Sequence, residues 1–332
     1  MPKYKLVEAD REKWNQIMSE SPQFTVFCDI RYLDAVGRKY KNYFVLKGDQ
    51  IRAGVSVILT EDESGCEIDD LVIYNGIMFL PVPDKKTVRK RFEEFEITEF
   101  VIEEFDKQFS KIEMSLSPFF EDLRPFLWHN YHSSNPKDKF NLILKYTSFI
   151  DISEFFLKKS YEKMELFKNM ENKRQADVKN SIKKGSQIVL LESKNTSLFT
   201  DYYAQMMQEQ GVEVKESFLT RLCDVIKNII NKNIGIMTGV KNYKGELSYI
   251  TVFSYLLNES IYLFAAGLRD KMTRHDATFC IWETFRILSE KGICRVNMEG
   301  VNSPQRGWFK LSFGGDLKKY FQVRKDKTKD KT

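Results

Sequence analysis

Cys294-Arg295-Val296-Asn297-Met298-Glu299-Gly300-Val301-Asn302-Ser303-Pro304-Gln305-Arg306-Gly307-Trp308-Phe309-Lys310-Leu311-Ser312-Phe313-Gly314-Gly315-Asp316 reads as a short strand that ends on a carboxylate. A polar turn, an aromatic pair, a lysine and a double glycine follow. Sequence that only builds a core seldom gathers Glu, Asn, Arg, Trp and Lys in so short a span, so chemistry is sought here first. Val296 and Met298 alternate toward a core, which sets Arg295, Asn297 and Glu299 on the opposite face. At the strand's end, Glu299 either serves as a proton acceptor or pairs with Arg295 or Arg306. Asn302 and Arg306 suit a substrate hydroxyl or phosphate, while Asn302-Ser303-Pro304 is also ordinary turn chemistry. Trp308 joins them as a candidate for substrate binding.

Working outward, the chain reads as a faint duplication. In the first half, Tyr43–Leu46 and Ile51–Leu59 read as strands flanking a Gly48-Asp49 turn. A further strand runs to Tyr74-Asn75-Gly76, a helix covers Lys85–Gln108, and a strand covers Ile112–Leu116. The second half repeats the order with strands at Ile234–Val240, Leu247–Leu257 and Ile261–Ala266. The last of these ends at Gly267 and precedes a helix at Asp276–Lys291 and the strand Cys294–Met298. Ala53 falls opposite Tyr249 and Gly76 opposite Gly267 at nearly one offset. In the Asp276 helix, Ile281, Phe285 and Leu288 form an inward stripe, Asp276 is placed to cap the start and Gly292 the end.

Ser153–Gly185 reads as helical and lysine-rich, with Phe167, Val178 and Ile182 inward. Arg174 lies on that stripe. It snorkels to solvent, meets an anion, or pairs within the helix with Glu171 or Asp177. The expected division is residues 1–150 and 151–323, with 153–185 as a connecting basic helix and 324–332 as a solvated basic tail.

Bulk properties narrow the class. The 332 residues are 42% hydrophobic and 30% charged, as expected of a globular chain with room for two domains. A net charge of +5 does not indicate a nucleic-acid coat or a DNA partner. Cys28, Cys66, Cys223, Cys280 and Cys294 are far apart and form no CxxC pair, which argues against zinc and a disulfide framework and fits the cytoplasm. With only three histidines, no metal is expected. Met1-Pro2-Lys3-Tyr4-Lys5 leads into a charged segment, so neither a secretory signal nor a membrane span is expected. The sequence does not fix the oligomeric state.

Three segments resemble the Fem-type nonribosomal peptidyltransferases and their relatives, a superfamily with two GNAT-like acyl-CoA N-acyltransferase domains in one chain. They are the basic helix Arg174 to Gly185, the unit from Tyr262 to Gly267 through Trp282-Glu283, and Glu299-Gly300-Val301-Asn302-Ser303-Pro304 followed by Phe309-Lys310-Leu311-Ser312-Phe313-Gly314-Gly315. The likeness runs in element order from about Phe24 to Phe321. It implies an α/β (α+β) fold of two tandem GNAT-like domains, each a mixed, mainly antiparallel sheet with flanking helices. It implies an N-acyltransferase in which Lys310 steadies the tetrahedral oxyanion, the alternative being a surface lysine of a strand hairpin.

The resemblance also places a coenzyme A thioester, the acyl donor, against the loop Gly267, Arg269, Lys271, Arg274 and His275, ahead of a helix N-terminus that favours anions. This loop lacks the glycine-rich GNAT signature, and His275 reads as a loop or cap residue rather than a base. Tyr74 and Asn75 suit a sugar or nucleotide base by stacking and hydrogen bonding, or else are core tyrosine and turn asparagine. The expected activity moves an acyl group to the amine of a nucleotide-linked amino sugar for surface polysaccharide. The chain lacks the long charged coiled-coil arm of some tRNA-using members, which favours acyl-CoA. Shorter tRNA-using members also lack it, so an aminoacyl-tRNA-dependent peptidyltransferase stays open. A ligand-binding protein of the same fold is the third reading.

Overall fold

The computed structural model describes residues 3–83, 86–157 and 160–328. The chain divides into two compact units, 1–145 with 319–332, and 146–318. In the first, β1 (Lys5–Glu8), α1 (Arg11–Met18) and α2 (Ile30–Val36) precede β2 (Tyr40–Lys47), β3 (Gln50–Leu59), β4 (Gly65–Glu67) and β5 (Gly76–Phe79). Then come α3 (Thr87–Gln108), β6 (Lys111–Ser115) and α4 (Arg124–Trp128). β2 pairs antiparallel with β1 and β3; β4 and β5 both pair with β3, and β4 runs parallel to β6. Val55, Val57 and Leu59, alternate residues of β3, share a core with Ile97, Val101 and Phe105 of α3. Those periods of two and four are the inward faces of a strand and a helix.

The second unit holds most of β7 (Asn141–Asp151), then α5 (Glu165–Asn169), α6 (Asn172–Lys184), β8 (Gln187–Leu191), α7 (Thr196–Glu209) and α8 (Glu216–Asn231). β9 (Gly235–Lys241), β10 (Leu247–Leu256), β11 (Glu259–Gly267), α9 (Asp276–Glu290), β12 (Arg295–Asn297) and α10 (Pro304–Leu311) follow, and β13 (Asp316–Asp326) begins here. Its sheet runs β7-β12-β11-β10-β9-β8, antiparallel except for β11 with β12. Trp282, Phe285 and Leu288 of α9 meet Phe253, Phe167 and Phe313 in the core. Each unit thus carries a hairpin, a further strand, a long helix and a closing strand, all on a mixed sheet.

Several local expectations change. Tyr74 and Asn75 precede β5 rather than end a strand. Residues 153–185 form not one helix but 3-10 turns at Ser153–Leu157 and Tyr161–Lys163, then α5 and α6; Lys158 and Lys159 lie outside the described residues, as does Lys85 at the expected start of α3. Ile182 is exposed and Ser181 takes the inward place. The segment 304–311, read as turn and hairpin, is a helix, with Pro304 at its start where a missing N–H is harmless.

The expected tail is also part of the fold up to Asp326. Arg324 and Lys325 pair with Glu113 and Ile112 of β6, and from Lys319 the chain belongs to the first unit. Composition suggested solvation, but Lys325 buries because the Asp106 carboxylate meets its ammonium at 2.6 Å, with His129 Nε2 at 3.0 Å. Residues 329–332 lie outside the described residues.

Candidate active site

β11 runs beside β12 only from Glu259 to Ile261. Just beyond, its register against β10 shifts between Phe253–Tyr262 and Val252–Phe264, so Leu263 is the extra residue of a bulge. A bulge bends a strand and re-aims its side chains, a device common beside active sites. β11 therefore parts from β12, and Tyr262 stands where it leaves. Tyr262 is buried with its hydroxyl 3.4 Å from that of Tyr249. Burial first, then Tyr249 and the Glu299 carboxylate, push the Tyr262 phenol well above its ordinary value, and burial raises Tyr249 to about 12. Both stay neutral hydroxyls.

The segment after β12 closes this place. Glu299 adopts φ +59, a left-handed conformation costly for a side-chain-bearing residue. Its N–H donates at 2.8 Å to Oδ1 of Asn297, which also accepts from Thr147 Oγ1 at 2.6 Å. Asn297 thereby fixes the turn that aims Glu299, a role that strand alternation did not suggest. α10 then lies so close that a Cβ at Gly307 would collide with the carbonyl oxygen of Val301. From α10, Lys310 Nζ reaches Glu299 Oε2 at 2.9 Å and the Gly300 carbonyl at 3.3 Å, and stands 5.3 Å from the centroid of the Tyr262 ring. Both side chains of the pair are mostly shielded, with 12% and 21% exposure. The structure so brings Lys310 and Glu299 together, and pairs Arg295 with Glu259 instead.

Other expected residues are placed elsewhere. Tyr74 is sealed between Phe27 and Tyr320, so it offers no stacking face. Asn75 is also buried, its Oδ1 accepting from Ser115 N at 2.8 Å. Asn302 grips Tyr146 with both ends of its amide, accepting from the backbone N–H at 2.8 Å and donating to the carbonyl at 3.0 Å. This extends the strand pairing of β7 and leaves Asn302 a structural part. Arg306 donates to Gln210 Oε1 at 2.9 Å.

The loop before α9 does not gather its cations. Arg269 faces Glu209 at 3.4 Å, Lys271 lies 5.4 Å from the Tyr202 ring centroid, and Gly267 is pressed beneath Met272 and Tyr249. Arg274 Nε donates to His275 Nε2 at 3.3 Å, so Nδ1 of the ring carries the proton and donates to Asp177 Oδ1 at 2.7 Å. Asp276 is wholly buried, accepting from Thr273 N at 2.8 Å, Ser248 Oγ at 2.7 Å and Thr273 Oγ1 at 2.7 Å. A carboxylate of the chain itself thus occupies the positive end of α9, where a pyrophosphate was expected. It secures the preceding turn rather than capping the helix, whose N-cap is His275.

Arg174 and Trp308 border a different space. Two residues apart on a helix point about 200° apart, so Trp308 and Lys310 leave α10 on opposite sides. Trp308, 76% exposed, lines a cavity of about 560 Å³ with Lys173, Arg174, Phe309 and Ser312. Arg174 is buried on α6, and its Nη1 donates to Thr278 Oγ1 at 2.6 Å and lies 3.1 Å from Asp177 Oδ2. The intrahelical pair with Asp177 is therefore present, together with a bond to α9.

The sequence matches no family model and no curated protein. Solved structures do match. The chain superposes on the crystal structure of FemX with TM-score 0.65, covering 96% of each chain at 8% identity. It superposes on a tandem GNAT protein from the clavulanic acid biosynthesis pathway with TM-score 0.53, covering 99% of this chain and 100% of that one at 8% identity. The fold is that of the Fem and tandem GNAT proteins. The C-terminal domain of a putative lysylphosphatidylglycerol synthetase from Agrobacterium fabrum shares this tandem GNAT-like fold, with TM-score 0.56 over 95% of this chain and 92% of that one at 9% identity. No described helix is long and apolar enough to cross a membrane, and among the described residues no group of three or more His, Cys, Asp or Glu could hold a metal ion.

Proposed function

We propose that the chain is an N-acyltransferase that moves an acyl group onto an amine beside Lys310 and Glu299. The observation that carries this reading is their 2.9 Å ion pair, held above Tyr262 where β11 parts from β12. The acceptor amine attacks the donor carbonyl carbon, a C–N bond forms, and the oxygen gains negative charge beside the Lys310 ammonium. Glu299 takes the proton that the amine loses. Collapse of the tetrahedral species restores the carbonyl and breaks the bond to the leaving group, a thiolate when the donor is an acyl-CoA. No covalent enzyme intermediate is formed. Burial pushes the Cys28 and Cys66 thiols to about 12 and Cys280 to about 11, which makes all three poor nucleophiles. The acceptor is the amine of a nucleotide-linked amino sugar and the setting is the cytoplasm, where the five unpaired thiols stay reduced.

A second reading, with aminoacyl-tRNA as donor, draws on the buried Asp276 at the start of α9, which weakens the case for a CoA pyrophosphate there. The exposed Lys173, Lys179, Lys183 and Lys184 along α6 suit a polyanion. The test is thermal stabilisation by a panel of acyl-CoAs and, separately, by deacylated tRNA, each with and without an amino-sugar nucleotide, followed by turnover. Saturating ligand at a hundredfold excess over Kd adds about 2.7 kcal/mol. Stabilisation by tRNA alone selects the second donor, and none by either with acceptor present leaves the binding-protein reading. Lys310→Ala is expected to keep ligand stabilisation while turnover falls about 10²–10³-fold. Full turnover in that variant overturns the proposal.

A further inference from the structure

The cavity behind α10 is built unlike an ordinary surface dimple. Arg174 lines it, with a side chain only 9% exposed. One nitrogen of the guanidinium, Nη1, is engaged by Thr278 and Asp177. Nε is buried with no hydrogen-bond partner among the described residues. The edge formed by Nε and Nη2 is the one that grips a carboxylate or phosphate with two parallel bonds. A buried, unsatisfied N–H on a cation is costly, so a site that leaves one unmade is incomplete without an acceptor. The Asp177 carboxylate does not serve that edge, since its oxygens are taken up by His275, Thr278 and Nη1.

The cavity mouth offers a second, independent feature. Trp308 is the most exposed large hydrophobic side chain among the described residues, and it lines this cavity together with Lys173. An indole left in water at the edge of a cationic cavity is a stacking surface. Among the described residues, Glu171 is the one acidic residue of the lining, against the two cations Lys173 and Arg174. Phe309, also on the lining, lies over the guanidinium, with Cζ 5.2 Å from its ring centroid.

We infer that this cavity is a binding site for a molecule that joins a planar ring to an oxyanion. The ring stacks on Trp308, and the oxyanion is held by the free edge of Arg174 with Lys173 beside it. The site goes beyond the acyl-transfer reading and does not depend on it, because Trp308 and Lys310 project from opposite sides of α10.

The test is quenching of tryptophan fluorescence in the full chain, titrated with uridine monophosphate, phenylacetate, uridine and inorganic phosphate. Uridine monophosphate or phenylacetate is expected to quench saturably, and whichever binds tighter tells whether the oxyanion is phosphate or carboxylate. Uridine and inorganic phosphate, each lacking half of the recognised pattern, should bind at least about tenfold more weakly, as one charge-assisted contact is worth about that factor. Trp308→Phe, a change at an exposed position that leaves the fold alone, should remove the quench. Arg174→Met should weaken binding by about tenfold or more, with circular dichroism verifying that it folds; if it does not fold, Lys173→Ala is expected to weaken binding about threefold. A flat titration for both ring-bearing anions overturns the site, as does saturable quenching that survives Trp308→Phe. Loss of turnover in Lys310→Ala with no binding here would leave the acyl-transfer reading standing alone, and binding here without turnover would leave this site standing alone.

Discussion

The two units handle the same structural problem in opposite ways. Each has a strand that leads into the long helix and pairs with the strand after that helix either briefly, as β11 with β12, or through no ladder, as β5 and β6. In the first unit the opening beside β6 is closed by Asn75, whose N–H donates to the Ser115 carbonyl at 2.7 Å while its side-chain oxygen accepts from Ser115 N at 2.8 Å. Tyr74 is locked edge-on between two rings. In the second unit β11 leaves β12 after Ile261, and the opening is covered by Glu299 and Lys310. An amide that spans the gap leaves no room and no charge. An ion pair on two long side chains instead keeps charge at the opening, which is what the proposed acyl transfer requires. The starts of the two long helices differ as well: α3 has no acidic residue in its first turn, whereas α9 begins on the buried Asp276.

This contrast is most exposed to failure at the ion pair. Glu299→Gln and Lys310→Met should each lower amine acylation by about 100-fold or more, and the double variant should be little worse than the poorer single one, because the two act as a unit. Additive losses would show that they serve separate steps. Asn75→Ala in the first unit should leave turnover intact and cost stability instead, read by urea denaturation.

The next largest effect is at the start of α9. Asp276→Ala strands the Thr273 and Ser248 donors and should destabilise by about 3 kcal/mol, whatever ligand is present. If a CoA ester stabilised this variant more strongly than the parent, Asp276 would be competing with a phosphate. Asn75→Ala should cost about 2 kcal/mol or less, since the Ser115 N–H loses its acceptor but the unpartnered Asn75 Nδ2 is removed with it.

The smallest effect sharpens the comparison through pH. In the first unit, burial and then the Lys325 charge lower the pKa of His129. The unfolded chain therefore binds that proton more readily. The stability linked to His129 is full above the ordinary histidine value and declines as pH falls below about 6.5. Burial opposes it, but Lys325 and Lys327 hold Asp106 below its usual value, so its contribution is lost only at more acid pH, as pH falls through the folded-state value. His129→Phe should flatten the loss between pH 7 and 5 in thermal melts; an unchanged slope would place the sensitive group elsewhere.

What was legible in sequence was what local pattern encodes. Turn signals on either side of Ile51–Leu59 and Leu247–Leu257 located β3 and β10, and the stripe Ile281, Phe285 and Leu288 located α9, because turn chemistry and helical period follow directly from backbone geometry. α8 went unread although Leu222, Val225, Ile226 and Ile229 carry a helical stripe. α10 went unread although Ser303-Pro304 is a helix-start signal. Composition also misjudged Lys325, whose burial depends on Asp106, more than two hundred residues away in sequence.

The sequence by itself determined which side chains were available for chemistry near the chain's end and the order of elements around them. Only the tertiary structure decided that Glu299 turns through a left-handed conformation to meet Lys310, that Tyr262 stands beneath them, and that Trp308 and Arg174 border a separate cavity. The physical reason is range. Periodicity and capping act within a few residues, whereas ion pairs and cavities depend on where distant backbones come to lie, and no local pattern records that.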